Sequence, residues 1–165
     1  AFVISDSDIG CYSRPETGNH ILIGSEDPEC DERIFVDPDN WDDNFTDQWN
    51  AQLYRQAQRY PDLPLSSKVK GVVSLYDVSD DWIPIYDKSD LPGFYMAVGS
   101  SGNQYKNAPI AGVMMTKLIE SCESGQNHDD DPVQLDLKYI NRKIDIGFYS
   151  RNRIINSESS MSVLG

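Results

Sequence analysis

The stretch "VGSSGNQYKNAPIAG" (residues 98–112) holds the residues best suited to chemistry. Gly99 and Gly102 let a ligand approach the main chain closely, because neither carries a Cβ. Ser100, Ser101, Asn103, Gln104 and Tyr105 add small or polar groups, and Lys106 adds an ammonium. Pro109 then marks the first turn of a helix, where its missing N–H costs nothing. The first N–H groups of a helix have no partner within it and carry partial positive charge. Such an arrangement suits an anion, or a flat ligand whose carbonyl edge gains negative charge. A tight strand-to-helix turn with a solvent-facing lysine uses the same residue types. The residues alone leave both readings open.

Other constellations point to less. Carboxylates recur at 37, 39, 42 and 43 in "DPDNWDDNFTD", which imitates a calcium loop. Asp42 stands where that loop needs glycine, and Gln48 where it needs a bidentate glutamate. The stretch reads as a solvated acidic loop leading into a helix, and no metal site is expected. His20 belongs to a hairpin and His128 to a linker, and neither has a partner at ligand spacing. The "GSSG" serines lack the nucleophile-elbow pattern of hydrolases. Trp41, Trp49 and Trp82 read as core anchors, and Tyr12, Tyr76 and Tyr105 as packing residues able to line a pocket. Cys11, Cys30 and Cys122 are widely spaced, without a Cys-x-x-Cys pair, which fits a reducing cytoplasm better than a disulfide framework.

The elements that must position the loop follow from periodicity. The chain has 165 residues, enough for an ordinary core. It carries 27 acidic against 14 basic residues, a formal charge of −13. That surface repels nucleic acid and anionic membranes. No apolar run approaches the about 20 residues of a membrane span, and no secretory leader is apparent. The chain enters at Ala1 directly into strand-like "FVIS", which reads as a cut rather than a natural start.

Residues 8–25 read as a β-hairpin, with Tyr12 in one strand, Ile21, Leu22 and Ile23 in the other, and Pro15, Gly18 and Asn19 at the turn. Trp49, Leu53, Ala57 and Tyr60 make one face of a helix capped by Asn44 or Thr46 and stopped by Pro61. Alternation of Val69, Gly71, Val73 and Leu75 predicts a strand over 68–79. Residues 83–86 form an extended piece, and 93–99 a short buried strand closed by glycine. The helix after Asn107 ends near Gly125 and buries Val113, Met114, Leu118 and Ile119. "GQNHDDDP" reads as a solvated linker, and 133–165 as an extended arm.

A reduced flavin would use such a strand, loop and helix well, since fixed donors at its N1–C2=O edge favour electron uptake. The sequence also resembles the C-terminal part of the FAD-dependent oxidoreductases related to D-amino-acid oxidase, nearest the sarcosine oxidase and dimethylglycine dehydrogenase branch. Three segments carry the resemblance: "CYSRPETGNHILIGS", "SLYDVSDDWIPIYD" and "LPGFYMAVGSSGNQYKNAPIAGVMMTKLI". It implies that Gly99, Ser100, Ser101, Gly102, Asn103, Gln104, Tyr105 and Lys106 contact FAD. It implies further that Lys106 holds a substrate carboxylate. Tyr76 stands where amino-acid oxidases of the family place a carboxylate-clamping arginine, which agrees with the sarcosine and dimethylglycine branch. The family's Gly-x-Gly-x-x-Gly pyrophosphate turn is missing from these 165 residues.

The expected fold is mixed α/β (α+β). A partial antiparallel substrate-domain sheet with its helix occupies 1–78. The closing strand, loop and helix of a FAD-binding domain occupy 79–125, and a linker and extended C-terminal arm 126–165. The expected function is that of a C-terminal fragment of an enzyme oxidising a secondary or tertiary amine, or an N-methylated amino acid, by hydride transfer to FAD, with the FAD expected in the intact enzyme rather than in this chain alone, and with Lys106 and Tyr76 as catalytic residues. The partner is a small-molecule amine, with homo-oligomerisation through an exposed former domain interface. A non-catalytic interaction or assembly module without bound FAD is the competing class.

Overall fold

The structure is a computed structural model, and it describes residues 2–26, 28, 30–65 and 69–163. Parts of two expectations lie outside these residues: the start of the 68–79 strand at Lys68, and Leu164 and Gly165 of the arm. Small antiparallel sheets and two helices make an α+β fold, as expected. The chain divides into two compact units, Ala1–Leu75 and Tyr76–Gly165.

In the first unit, β1 (Ile4–Asp6), β2 (Cys11–Glu16) and β3 (His20–Ser25) form one antiparallel sheet in sequence order. Pro15 does not turn the chain. It sits within β2, opposite Ile21, and the turn is left to Gly18 and Asn19, both at positive φ. The helix α1 (Asp47–Ala57) packs against β2 and β3. Thr46 caps it: its Oγ1 accepts the Trp49 N–H at 3.1 Å. The Phe45 and Trp49 rings stack at 3.9 Å and fix the chain's entry into the helix. Trp49 also lies so close to Gly71 that a Cβ there would come within 2.3 Å of the indole. This packing accompanies a correction, because residues 69–79 form no strand. Gly71 packs on Trp49 instead, and Val72 stays exposed.

The second unit carries the apolar core. β4 (Ile85–Lys88) pairs antiparallel with β5 (Tyr95–Val98), with Tyr86 opposite Ala97. A 3₁₀ turn, Gln104–Asn107, runs straight into α2 (Ala108–Glu123), which packs on both strands. Then β6 (Gln134–Leu137) and β7 (Arg142–Asp145) make a hairpin, followed by a second 3₁₀ turn, Ile146–Tyr149. Tyr86, Met114, Leu118, Val133, Leu135 and Ile146 form one buried cluster. The last stretch is therefore folded into the core rather than laid over it.

Two further expectations are corrected. On α2, Met114 and Leu118 are buried, but Val113 and Ile119 are exposed. The sheet beneath has only two strands and covers a narrow stripe of the helix. For the same reason β5 is not buried on both faces, and Ala97 and Val98 remain exposed.

Candidate functional site

The loop after β5 is bent by positive φ at Gly99, Ser101 and Gly102. The sequence assigned its N–H groups to a ligand, yet three of them turn to residue 77. Gly99 and Ser100 donate to Asp77 Oδ2 at 2.8 and 3.0 Å, and Ser101 N–H donates to the Asp77 carbonyl at 3.0 Å. The Ser100 hydroxyl donates to Asp77 Oδ1. The loop does hold a carboxylate, supplied by its own chain. Burial pushes the Asp77 carboxyl up, but the Ser100 hydroxyl and the Ser100 and Gly99 N–H groups outweigh it, so its pKa lies below the usual range. Sequence reasoning passed over Asp77. It lies 22 residues before the loop, so no local pattern in the sequence signals the pairing.

Tyr76 lies on the other side of Gly102. A Cβ on Gly102 would sit 2.8 Å from the Tyr76 ring and 3.1 Å from Val163. Glycine is required there both by the positive φ of 78° and by this contact. Tyr76 and the loop are thus brought together, with the ring packed on the main chain.

The helix α2 starts at Ala108, as expected, and Lys106 precedes it within a 3₁₀ turn, where the Ala108 N–H donates to the Tyr105 carbonyl. The continuous 3₁₀ turn supplies α2 with its first partners. The positive end of the helix therefore falls earlier, around the residues that carry Asn103 and Gln104. Lys106 is exposed, and among the described residues it has no ion-pair or hydrogen-bond partner. An ammonium at the positive end of a helix is unfavourable unless an anion joins it.

What Lys106 faces is an open cleft of about 420 Å³. Asn103, Gln104 and Asn107 line it beside the lysine, and Trp82, Tyr86, Phe148 and Tyr149 supply aromatic walls. The amides are ordered among themselves. Tyr86 Oη donates to Gln104 Oε1 at 3.0 Å, Asn107 Nδ2 donates to the same oxygen at 3.1 Å, and Gln104 Nε2 donates to Asn103 Oδ1. A second cleft of about 250 Å³ adjoins through Pro84, Tyr86 and Gln104. Its remaining lining is small: Ala97, Val98, Ser100, Ala108 and Ala111. Tyr105 lines neither cleft and is almost wholly exposed.

The model of the DAO family, described as FAD dependent oxidoreductase, matches residues 1–118. The chain belongs to this FAD-dependent oxidoreductase family. No curated protein and no solved structure matches the chain. The family match contains Tyr76, the glycine loop and most of α2, and it ends at Leu118.

Small side chains beside the loop would leave room for the flat ring of the family's cofactor, while the polar residues of that cleft are bonded within the chain, Ser100 to Asp77 and Gln104 to Tyr86, Asn103 and Asn107. Among the described residues no Gly-x-Gly-x-x-Gly turn offers a place for a pyrophosphate. His128 is placed away from both clefts. It is buried, not part of a solvated linker, and its Nδ1 accepts the Val133 N–H at 3.0 Å. His20, on the exposed hairpin, bonds the Thr17 carbonyl.

Proposed function

We propose that the chain is part of an enzyme that oxidises a secondary or tertiary amine, or a small N-methylated amino acid. In this reading Ser100, Asn103, Gln104 and Lys106, the loop residues that line the clefts, face FAD, and Lys106 binds the substrate carboxylate. The observation that carries it is the Lys106 ammonium, without a partner among the described residues, on the rim of a cleft walled by aromatic rings and side-chain amides. Bound FAD supplies the acceptor for the hydride equivalent lost from the carbon next to nitrogen.

The chain's own residues do the rest. Asp77 braces the loop by accepting the Gly99 and Ser100 N–H groups, so the loop's shape is set before any ligand arrives. Ser100 and Gln104 offer polar contacts to a ring edge, with Ala97, Ala108 and Ala111 giving it space. Lys106 attracts a carboxylate by charge and leaves its orientation to the neighbouring Asn103 and Asn107 amides, since an ammonium is less directional than a guanidinium. Tyr76 acts through its ring, which covers Gly102. The aromatic walls offer apolar surface beside the reacting carbon.

A specific observation also favours a role for assembly. Phe94 just before β5, Val98 on β5 and Val113 on α2 are exposed apolar side chains suited to cover by another chain or a second copy.

The test is Lys106→Met in the full chain with FAD. We expect the flavin absorption band to persist and the affinity for an amino-acid substrate to fall by about tenfold, the cost of losing one charge-assisted contact. Unchanged affinity with unchanged flavin reduction would remove the lysine from the site. A colourless protein that takes up no FAD would favour the assembly reading.

A further inference from the structure

We propose that the segment 144–160 is the substrate-selecting wall of the larger cleft, reading the apolar substituent of a carboxylate-bearing amine. The proposal rests on the carboxylate reading of Lys106 given above. The segment lies beyond the residues matched by the family model, which end at Leu118, yet it supplies Ile144, Phe148, Tyr149, Ser159 and Ser160 to the cleft.

The wall is built, not draped. Ile146 is fully buried in the core, and its N–H donates to the Val133 carbonyl at 3.0 Å. Asp145 caps the following turn by accepting the Gly147 N–H at 2.9 Å. This fixes Phe148 and Tyr149, whose rings meet edge to face at 5.0 Å, while Tyr149 also touches Tyr86 at 5.2 Å. Two arginines then pin the chain. Arg151 reaches the buried Asp87 at 3.0 Å and Asp129 at 2.9 Å. Arg153 grips the buried Asp81 through Nε at 3.0 Å and Nη2 at 2.5 Å, and also reaches the Ile83 carbonyl at 2.7 Å. The Asn156 N–H adds a bond to Asp81 at 3.2 Å.

Asp81 directly precedes Trp82, Ile83 and Pro84 of the cleft. One buried carboxylate thus ties together two walls, and Ser159 and Ser160 come next along the pinned segment. Phe148 is half exposed although its turn is rigid. A rigid, solvent-facing ring in a cleft that also holds an ammonium suits a ligand with a charged end and an apolar end.

The experiment measures binding of straight-chain carboxylates, acetate to hexanoate, to the full chain with FAD by titration calorimetry. In the wild type, affinity should rise about fourfold per added methylene as apolar surface is covered. Phe148→Ala should flatten that series, and Phe148→Leu should restore most of the slope. Ser160→Trp should weaken the longest members and spare acetate. A Phe148→Ala protein that keeps the wild-type slope overturns the wall and leaves the lysine reading intact. Lys106→Met should lower every member by the same factor without changing the slope. If it changes none, the lysine reading falls while the slope still judges the wall. A wild type that binds no member of the series overturns both.

Discussion

The second unit buries Tyr86, Met114, Leu118, Val133, Leu135 and Ile146, whereas among the described residues the buried side chains of the first are Cys11, Ser13, Glu26 and Gln56. The polar interior of the first unit is also poorly satisfied. Among the described residues, Glu26 Oε2, Asp31 Oδ2, Gln52 Oε1, Arg55 Nη1 and Gln56 Oε1 are buried without a hydrogen-bond partner. Meanwhile Phe2, Val3, Ile34, Phe35 and Val72 are exposed. In the second unit the buried carboxylates Asp81 and Asp87 each have an arginine and further donors. Among the described residues His128 Nε2 is also buried without a hydrogen-bond partner in the second unit, so the contrast lies in that unit's apolar cluster and arginine-paired carboxylates, while the first holds its shape mainly through a sheet, a capped helix and surface pairs. The cleft lies wholly in the better-satisfied unit, where its walls can be held in place.

The comparison is broken most directly by removing one arginine from each unit. Arg153→Ala leaves Asp81, fully buried, without its charge partner, and should cost about 3–5 kcal/mol. Arg59 pairs with Asp6 at 2.8 Å but is nearly half exposed, and Arg59→Ala should cost under about 1 kcal/mol. Hydrogen exchange read peptide by peptide separates the two. Arg153→Ala should speed exchange in β4, α2 and the β6–β7 hairpin. Equal effects from both variants would erase the distinction between the units.

Acid should sharpen it. Burial holds the His128 imidazole below its usual pKa, outweighing the attraction of Asp87 at 3.7 Å and of Asp129 and Asp145, with Lys88 also opposing the charge. Protonation would also turn Nδ1 from acceptor to donor and break its bond to the Val133 N–H. A folded pKa below the unfolded one means stability is present above the unfolded value, near 6.5, and is lost as pH falls through the folded one. The Asp129 carboxyl is held down to about 2 by Arg151 and Lys88, and Asp81 is lowered by Arg153. Their contribution is present above about pH 4 and declines below it. The second unit should therefore lose stability in two stages as pH falls, and His128→Gln should remove the first. A single stage below pH 4 in the wild type would contradict the assignment to His128.

The legibility of these features follows their range in sequence. The β2–β3 hairpin, α1 with its Thr46 cap, and α2 with Pro109 in its first turn were readable because local spacing and turn chemistry decide them. The 68–79 strand was misread because alternation at 69, 71, 73 and 75 is a local signal. The fate of that segment is set by Trp49 against Gly71 and by Asp77 on the loop, contacts about 20 residues apart. His128 looked solvated for the same reason: its acidic neighbours are surface residues, while its ring is buried and bonded at Val133. For the candidate site, residue types drew attention to Lys106 and the glycines. Pairing of the loop with Asp77, and the contribution of 144–160 to the cleft, depend on tertiary contacts that no local pattern encodes.

The smallest expected effect tests how far the first unit relies on local devices. Thr46 Oγ1 accepts the Trp49 N–H, and the Phe45–Trp49 stack sits on the same turn. Thr46→Ala removes the acceptor but leaves the stack, and should cost about 1 kcal/mol, the usual value of such a cap. With Gln56 as the only fully buried residue of α1, the helix has little apolar burial to offset that loss. Fraying should therefore spread along α1, so that exchange quickens not only at residues 47–50 but through Ala57. Were quickening confined to the first turn, α1 would be held by its packing on β2 and β3 rather than by its cap, and the first unit would resemble the second more than its buried residues suggest.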